Sequence, residues 1–390
     1  MEELRYAGQL DTKSVRGYAW LFAVINVGTL AYLLISSSDN IDAFGQIIGS
    51  DFLSFWAAGK LSTSGQSPYD AGAHLAVMQT FAPTLGGYPA YFYPPMFLIA
   101  CYPLGFLSYF AALGLWLVTT GTVFVATARM WARHLDLKLP IWLWLAAFPP
   151  VLITITHGQT SFLLAALLGS GLLLVRDRPW IAGLLLGLAT FKPQFGLLIP
   201  IAILLTGNWR VAVVAVGTVA LQTLFATLAF GPGIWVDWYE LTADAQESMA
   251  GGSIGYGKMV SVFAASKLVG ASDVFAYVIQ LIVAGTVSLA VVSVSWRRDW
   301  SHALAALVLT GAALVTPFAL DYDMVILALP LLYLAGTGYR DWEKAISAFA
   351  FLATLLARPL ALQFGVPTIP LALVGLFWVL WRRLALPQET

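Results

Sequence analysis

The chain has 390 residues, of which 59% are hydrophobic and only 10% charged, and its 20 basic and 20 acidic side chains cancel. A soluble domain carries about 25% charged residues, so an ordinary soluble fold is excluded, and the lack of a basic excess removes the electrostatic footprint of a nucleic-acid binder. The single cysteine, Cys101, lies in an apolar run, which excludes an intramolecular disulfide framework and a cysteine-based metal centre.

Many runs approach the roughly 20 apolar residues that a spanning helix needs. They predict an all-α, polytopic integral membrane protein with roughly 10–13 transmembrane or re-entrant helices. Residues 1–17 are polar and carry Arg5, Lys13 and Arg16, which favours a cytoplasmic N-terminus. The run 18–36 is long and lacks a small-residue cleavage site, so it reads as an uncleaved first span.

A first external loop follows over 37–93. Within it, 51–61 and 70–81 read as short interfacial helices opened by Asp51 and Asp70 as N-caps. Residues 94–131 must cross an odd number of times: either 94–106 only dips into the membrane, or the 129–138 loop faces outward. Further spans are expected at roughly 140–156, 160–175, 209–230, 274–296, 302–316, 324–336, 345–357 and 369–381.

Between Arg178 and Arg210 an apolar stretch is broken by Lys192-Pro193. Each half is too short to cross at about 1.5 Å per residue. The stretch therefore reads as a pair of half-helices that enters from the cytoplasm and returns. Residues 231–272 form a second external loop, glycine-rich from Gly251 to Lys258, which is a lid or a plain flexible linker. It does not match a phosphate-binding P-loop, since Met259 stands where a hydroxyl is required. Residues 384–390 form a cytoplasmic tail. Arg133, Arg176, Arg178, Arg210, Arg297, Arg298, Arg340, Arg382 and Arg383 gather on the side so assigned, as the positive-inside rule requires.

With this topology five polar groups fall near the external interface: Asp51, the Tyr91–Pro95 segment, His157-Gly158-Gln159-Thr160, Lys192-Pro193-Gln194 and Asp321-Tyr322-Asp323. Convergence of polar groups from distant positions is what a site between helices looks like. Asp51 has two readings, a helix N-cap and a general base that deprotonates an attacking hydroxyl. Lys192, inside an apolar run, either neutralises an anionic leaving group or pairs with a buried acid. Gln159 and His157 are candidate phosphate contacts, or a plain capping loop. Asp321 and Asp323 either orient a sugar or the lysine, hold a metal, or simply start a helix. Tyr322, Gln194, Tyr91, Tyr93 and Trp56 are candidates to line a sugar or acceptor groove.

The order Asp51-Phe52, Phe55-Trp56, Ala58-Gly59, Gly65, Pro68-Tyr69-Asp70, Tyr93-Pro94-Pro95, Pro103-Leu104, Gly158-Gln159, Ala182-Gly183, Lys192-Pro193, Thr316-Pro317 and Asp321-Tyr322-Asp323 resembles glycosyltransferase family 87. These are polyprenol-phosphate-mannose-dependent mannosyltransferases with a GT-C fold. The resemblance implies a GT-C-like membrane domain over 18–383 with Asp51 as external base. It implies transfer of mannose or another hexose or pentose from a polyprenyl-phosphate donor to a lipid or glycan acceptor. Transfer would be inverting and metal-independent, without a cofactor. Lys192 and Gln159 would lie at the donor phosphate, with no metal ligands. The late segment that carries a histidine in the mannosyltransferases reads Thr316-Pro317-Phe318-Ala319-Leu320-Asp321-Tyr322-Asp323 here, and His157 is the candidate to replace it. The expected partners are membrane lipid, the lipid-linked donor and the acceptor, with no nucleic acid and no obligate protein partner. The expected place is a bacterial inner membrane, multi-pass, with the site facing the periplasm. The alternative is a flippase for a lipid-linked saccharide, because a broken helix pair is also a transporter device. The aromatic first loop and the lack of a two-fold repeat favour the enzyme.

Overall fold

The computed structural model describes residues 12–85, 90–137, 140–250, 255–340 and 342–386, with backbone alone for 12–15 and 244–250. The start of the N-terminal segment, the end of the tail and residues 251–254 of the glycine-rich loop lie outside the described residues.

In chain order, α1 (Thr12–Ile35) leads to α2 (Phe52–Thr63) and α3 (Ala71–Phe81), then a short helical segment at 95–106 and the long α4 (Tyr109–His134). Next come α5 (Ile141–Ala147), α6 (Pro149–His157), α7 (Ser161–Leu173), α8 (Pro179–Leu188), α9 (Ile199–Leu205), α10 (Trp209–Phe230), α11 (Ile234–Ala250) and α12 (Val262–Leu268). The chain ends with α13 (Asp273–Ser295), α14 (His302–Val315), a 3₁₀ segment Asp321–Leu327 running into α15 (Ala328–Thr337), α16 (Glu343–Phe364) and α17 (Thr368–Ala385). No β-strand forms among the described residues, and the protein is the all-α polytopic membrane protein its composition predicts.

Among the described residues six helices, α1, α4, α10, α13, α16 and α17, are long and apolar enough to cross a bilayer. Several leave apolar side chains outward, such as Val213, Leu221 and Leu228 on α10 and Val274, Leu281 and Leu289 on α13. In lipid such a face needs no further cover. The core lies elsewhere. Every residue of α14 from Leu304 to Val315 is buried, and α7 is nearly as enclosed. A helix apolar on all sides must sit in a protein core or in lipid. At 14 residues, α14 is only about 21 Å long, short of a ~30 Å hydrocarbon core, and the surrounding helices enclose it.

The pair of half-helices around Lys192 is present. Gly183 of α8 faces Val211 and Val214 of α10, and Gly187 faces Ala215 and Thr218. The contacts climb together, so α8 and α10 run parallel and the chain between them must turn back. The turn is at Lys192, whose backbone leaves the helical region (φ −121°, ψ 74°) ahead of Pro193. At the far end the basic residues do gather. Arg297 N bonds Leu205 O, Arg298 bonds Leu384 O, Trp300 bonds Leu172 O, and Arg383 holds Glu343 and Gly338.

Three sequence expectations are corrected, and the choice left open for 94–131 is narrowed. The single span expected at 140–156 is two helices, because Pro149 and Pro150 remove donors and open α6. Residues 95–106 form only a short helical segment, which leaves α4 as the one long apolar helix of 94–131. The span expected at 345–357 continues past Arg358 and Pro359 to Phe364. Finally, α2 is not an exposed surface helix. Its residues Phe52–Gly59 are buried, packed on the 95–106 segment through Gly59 and Gly105. A Cβ on Gly59 would lie 2.3 Å from Cys101 O, and one on Gly105 2.4 Å from the Gly59 backbone, so only two glycines allow this contact.

Candidate active site

Asp51 opens α2 but does not cap it. Its backbone is already helical (φ −84°, ψ −27°) and its carboxylate makes no cap bond, whereas Asp70 caps α3 by accepting from Ala73 N at 2.7 Å. The Asp51 carboxylate instead accepts from Gln159 Nε2 at 2.7 Å and from Ser50 Oγ at 3.3 Å. It is half-buried, so it remains open to a substrate. The N-cap reading of Asp51 is therefore overturned: its acceptor capacity is turned into the site.

The backbone holds Asp51 there. Gly49 N donates to Thr156 O at 3.0 Å and Asp51 N to His157 O at 3.1 Å, stitching the first loop to the end of α6. Gly158 ends α6 in the left-handed region (φ 65°), and a Cβ there would lie 2.5 Å from Phe52 Cβ. Glycine is required both for the conformation and for the closeness of the two segments. Gln159 follows directly and is buried at 4% exposure. Its Oε1 accepts from Thr160 N at 2.9 Å and from the Tyr93 hydroxyl at 3.2 Å. Only that orientation lets the amide nitrogen donate to Asp51. Tyr93 also meets Thr160 Oγ1 at 3.0 Å.

The Asp-Tyr-Asp segment divides its two acids between two cations. Asp323 accepts from Lys192 Nζ at 2.6 Å and from Ser161 Oγ at 2.8 Å. The rings of Tyr322 and Tyr93 lie 5.2 and 5.9 Å from the same ammonium. The sequence left open whether Lys192 meets an anion or a buried acid; in this structure it meets the acid. Asp321 accepts from Arg358 Nε at 2.8 Å and from Tyr322 N at 2.9 Å. The guanidinium also comes within 3.5 Å of His157 Nε2. His157 Nδ1 faces the Ile153 carbonyl at 3.0 Å, and since a carbonyl only accepts, Nδ1 carries a hydrogen. Tyr322 sits between the clusters, its ring centre 6.0 Å from that of His157.

Not every expected residue is part of this arrangement. Trp56 is buried in an aromatic cluster and donates to Leu107 O at 3.0 Å. Tyr91 is fully buried, with its hydroxyl 3.6 Å from Cys101 Sγ. Both sit in the packed core, Trp56 on the helix that the Gly59–Gly105 contact draws inward. Gln194 is half-buried in the turn after Lys192, and its amide has no hydrogen-bond partner among the described residues. Asp321 and Asp323 do not converge on one point. Among the described residues no three or more His, Cys, Asp and Glu gather where a metal could be held.

Sequence reading missed Ser161 and Arg358. Ser161 directly follows the His157–Thr160 motif at the start of a buried helix, which is the signal for it. Arg358 is a lone basic residue beside Pro359, and that pair reads as the end of a span.

The site joins residues within 91–317 to Asp51, to Asp321 and Asp323, and to Arg358, which lie outside that range. No curated protein and no solved structure matches the chain. One family model does, over residues 91–317, more than half of the sequence, and on that match the chain belongs to glycosyltransferase family 87.

Proposed function

We propose that this glycosyltransferase moves a sugar from a polyprenyl-phosphate carrier to a lipid or glycan acceptor, with inversion and without a metal, and that Asp51 is its general base. The observation that carries the reading is the Asp51 carboxylate, free of any helix-capping duty and aimed by Gln159. In the step, the acceptor hydroxyl gives its proton to Asp51 as its oxygen attacks the anomeric carbon. The bond from that carbon to the phosphate oxygen breaks, and polyprenyl phosphate leaves with the electron pair.

An apolar groove of about 260 Å³ supports a lipid-linked donor. It lies between the 95–106 segment, α7, α8 and α10, lined by Met96, Phe97, Leu163, Leu167, Leu188 and Phe191. Phe191 precedes Lys192, and Phe97 stacks on Tyr93 at 4.8 Å, so the groove adjoins the polar cluster. An isoprenoid chain would lie there with its phosphate at the polar end, near Gln159 and Lys192. Lys192 would contact the phosphate directly only if its pair with Asp323 opened; in the paired state it orients Asp323 and the two tyrosines. The sugar would rest against Tyr322 and Tyr93. By the charge distribution, the end that carries Asp51 faces away from the cytoplasm, toward the periplasm if the membrane is a bacterial inner one.

The test is donor turnover. Purified protein in detergent receives a panel of radiolabelled polyprenyl-phosphate sugars with a lipid and glycan extract, beside Asp51→Asn. Release of polyprenyl phosphate with a matching labelled product, by wild type alone, supports the reading. Activity that a chelator abolishes and Mg²⁺ or Mn²⁺ restores would overturn metal independence. Turnover of a nucleotide sugar in place of any lipid-linked one would overturn the donor assignment.

A further inference from the structure

Of the two cations described in the site, Lys192 and Arg358, Arg358 is the open one. It lies within α16, a helix apolar enough to span, where a guanidinium is costly unless it has a task. Its side chain keeps 29% exposure while its partner Asp321 keeps 3%. Nε and one terminal nitrogen are spent on a single oxygen of Asp321, each at 2.8 Å. The same terminal nitrogen approaches His157 Nε2 at 3.5 Å. Among the described residues the other terminal nitrogen, Nη1, has no partner. A guanidinium held through Nε and one terminal nitrogen, with Nη1 unspent, keeps N–H donors for an oxyanion.

The neighbourhood is the reaction site. His157 lies one residue before Gly158-Gln159, its carbonyl receives Asp51 N, and Gln159 holds the Asp51 carboxylate. Lys192, by contrast, is 7% exposed and closed by Asp323.

We propose that Arg358, steadied by Asp321 and His157, is the phosphate-binding cation of this site and receives the phosphate group of a lipid substrate. The proposal rests on the lipid-phosphate reading of the function. It assigns a role to a residue outside the family match and beyond the sequence-predicted site. The shared chemistry is a lipid-borne phosphate, and donor and acceptor are told apart by experiment.

Binding of farnesyl phosphate, farnesol, a short-chain phosphatidylglycerol and inorganic phosphate to purified protein in nanodiscs is the test, for wild type, Arg358→Gln, Arg358→Lys and Asp321→Asn. Wild type should prefer farnesyl phosphate to farnesol. Arg358→Gln should lose about tenfold to a hundredfold in phosphate affinity without changing farnesol binding, and Arg358→Lys should keep part of it. If the loss falls on farnesyl phosphate, the phosphate is the donor's; if on phosphatidylglycerol, the acceptor's. Should Arg358→Gln not fold, Asp321→Asn decides: a freed guanidinium binds as tightly as wild type or tighter, whereas a purely structural pair predicts weaker binding. Unchanged phosphate affinity in a folded Arg358→Gln, with wild type still preferring the phosphate, overturns the role of Arg358 and leaves the function standing. Equal wild-type affinity for farnesyl phosphate and farnesol overturns both. Inorganic phosphate binding as tightly as farnesyl phosphate overturns the lipid assignment.

Discussion

The Lys192–Asp323 and Arg358–Asp321 pairs stand two residues apart on one turn of chain, and each brings in a cation from a distant segment, Lys192 from the turn after α8 and Arg358 from α16. Lys192 is buried beside a buried acid, with Ser161 and two aromatic rings completing its shell. Arg358 keeps 29% of its side chain exposed, and its Nη1 has no partner among the described residues. Removal of one partner from a buried pair strands a charge and costs about 3–5 kcal/mol, whereas an exposed pair is worth about 1 kcal/mol or less. The first pair therefore fastens the re-entrant turn to the Asp-Tyr-Asp segment. The second is available to a ligand.

The largest expected effect comes from breaking the closed pair. Lys192→Met should destabilise the protein by about 3–5 kcal/mol and lower its melting temperature sharply. Adding Asp323→Leu should recover most of that loss, since an apolar pair leaves no stranded charge. A milder result for Lys192→Met than for Arg358→Gln would reverse the comparison.

Next in size is Gly158→Ala. It strains a left-handed residue, at about 1–2 kcal/mol, and drives a methyl against Phe52. Thermal melting should register the strain, and transfer should fall further than stability because Gln159 and Asp51 are displaced together.

Arg358→Gln keeps an N–H for the buried Asp321 carboxylate but removes its countercharge, so it should destabilise by about 1–3 kcal/mol, less than Lys192→Met. A loss should appear in substrate affinity as well.

A pH-dependent effect, below about 1.4 kcal/mol over the first unit under pH 6.5, sharpens the comparison from another side. His74 is, like Lys192, a buried basic group, with Ser54 Oγ at 3.2 Å and the Pro68 carbonyl at 2.9 Å. Burial pushes its imidazole down from 6.5 to about 4. The folded protein thus keeps His74 neutral where the unfolded chain takes up a proton. The stability from His74 is complete above pH ~6.5 and is lost as pH falls toward ~4, by at most about 1.4 kcal/mol per pH unit. Denaturation measured across that range should flatten in His74→Asn.

Much of this was readable in the sequence because membrane burial writes itself into composition. Lys192-Pro193 in an apolar run announced the re-entrant turn, since neither a lysine nor a missing N–H is tolerated there without cause. Asp51, Gln159 and the two late acids stood out as polar groups at helix ends. Their partners did not, because pairing across 108 residues (Asp51–Gln159) or 131 residues (Lys192–Asp323) leaves no local periodicity. Arg358 was hidden for a different reason. A basic residue followed by proline normally ends a helix, yet α16 continues for five residues after Pro359. Trp56 and Tyr91 misled because aromatic residues between spans usually mark an interface. The burial of Trp56 depends on two glycines, Gly59 and Gly105, that meet only in the folded chain.

The most direct test of the account is the transfer rate of Asp51→Asn against wild type and Asp51→Glu, at saturating donor and with melting temperatures matched. The account predicts a loss on the order of 10²–10⁴-fold for the amide, partial activity for the glutamate, and little change in stability for the amide, whose oxygen can still accept from Gln159. A near-wild-type rate for Asp51→Asn, or a loss of transfer explained by a fall in stability, would contradict it.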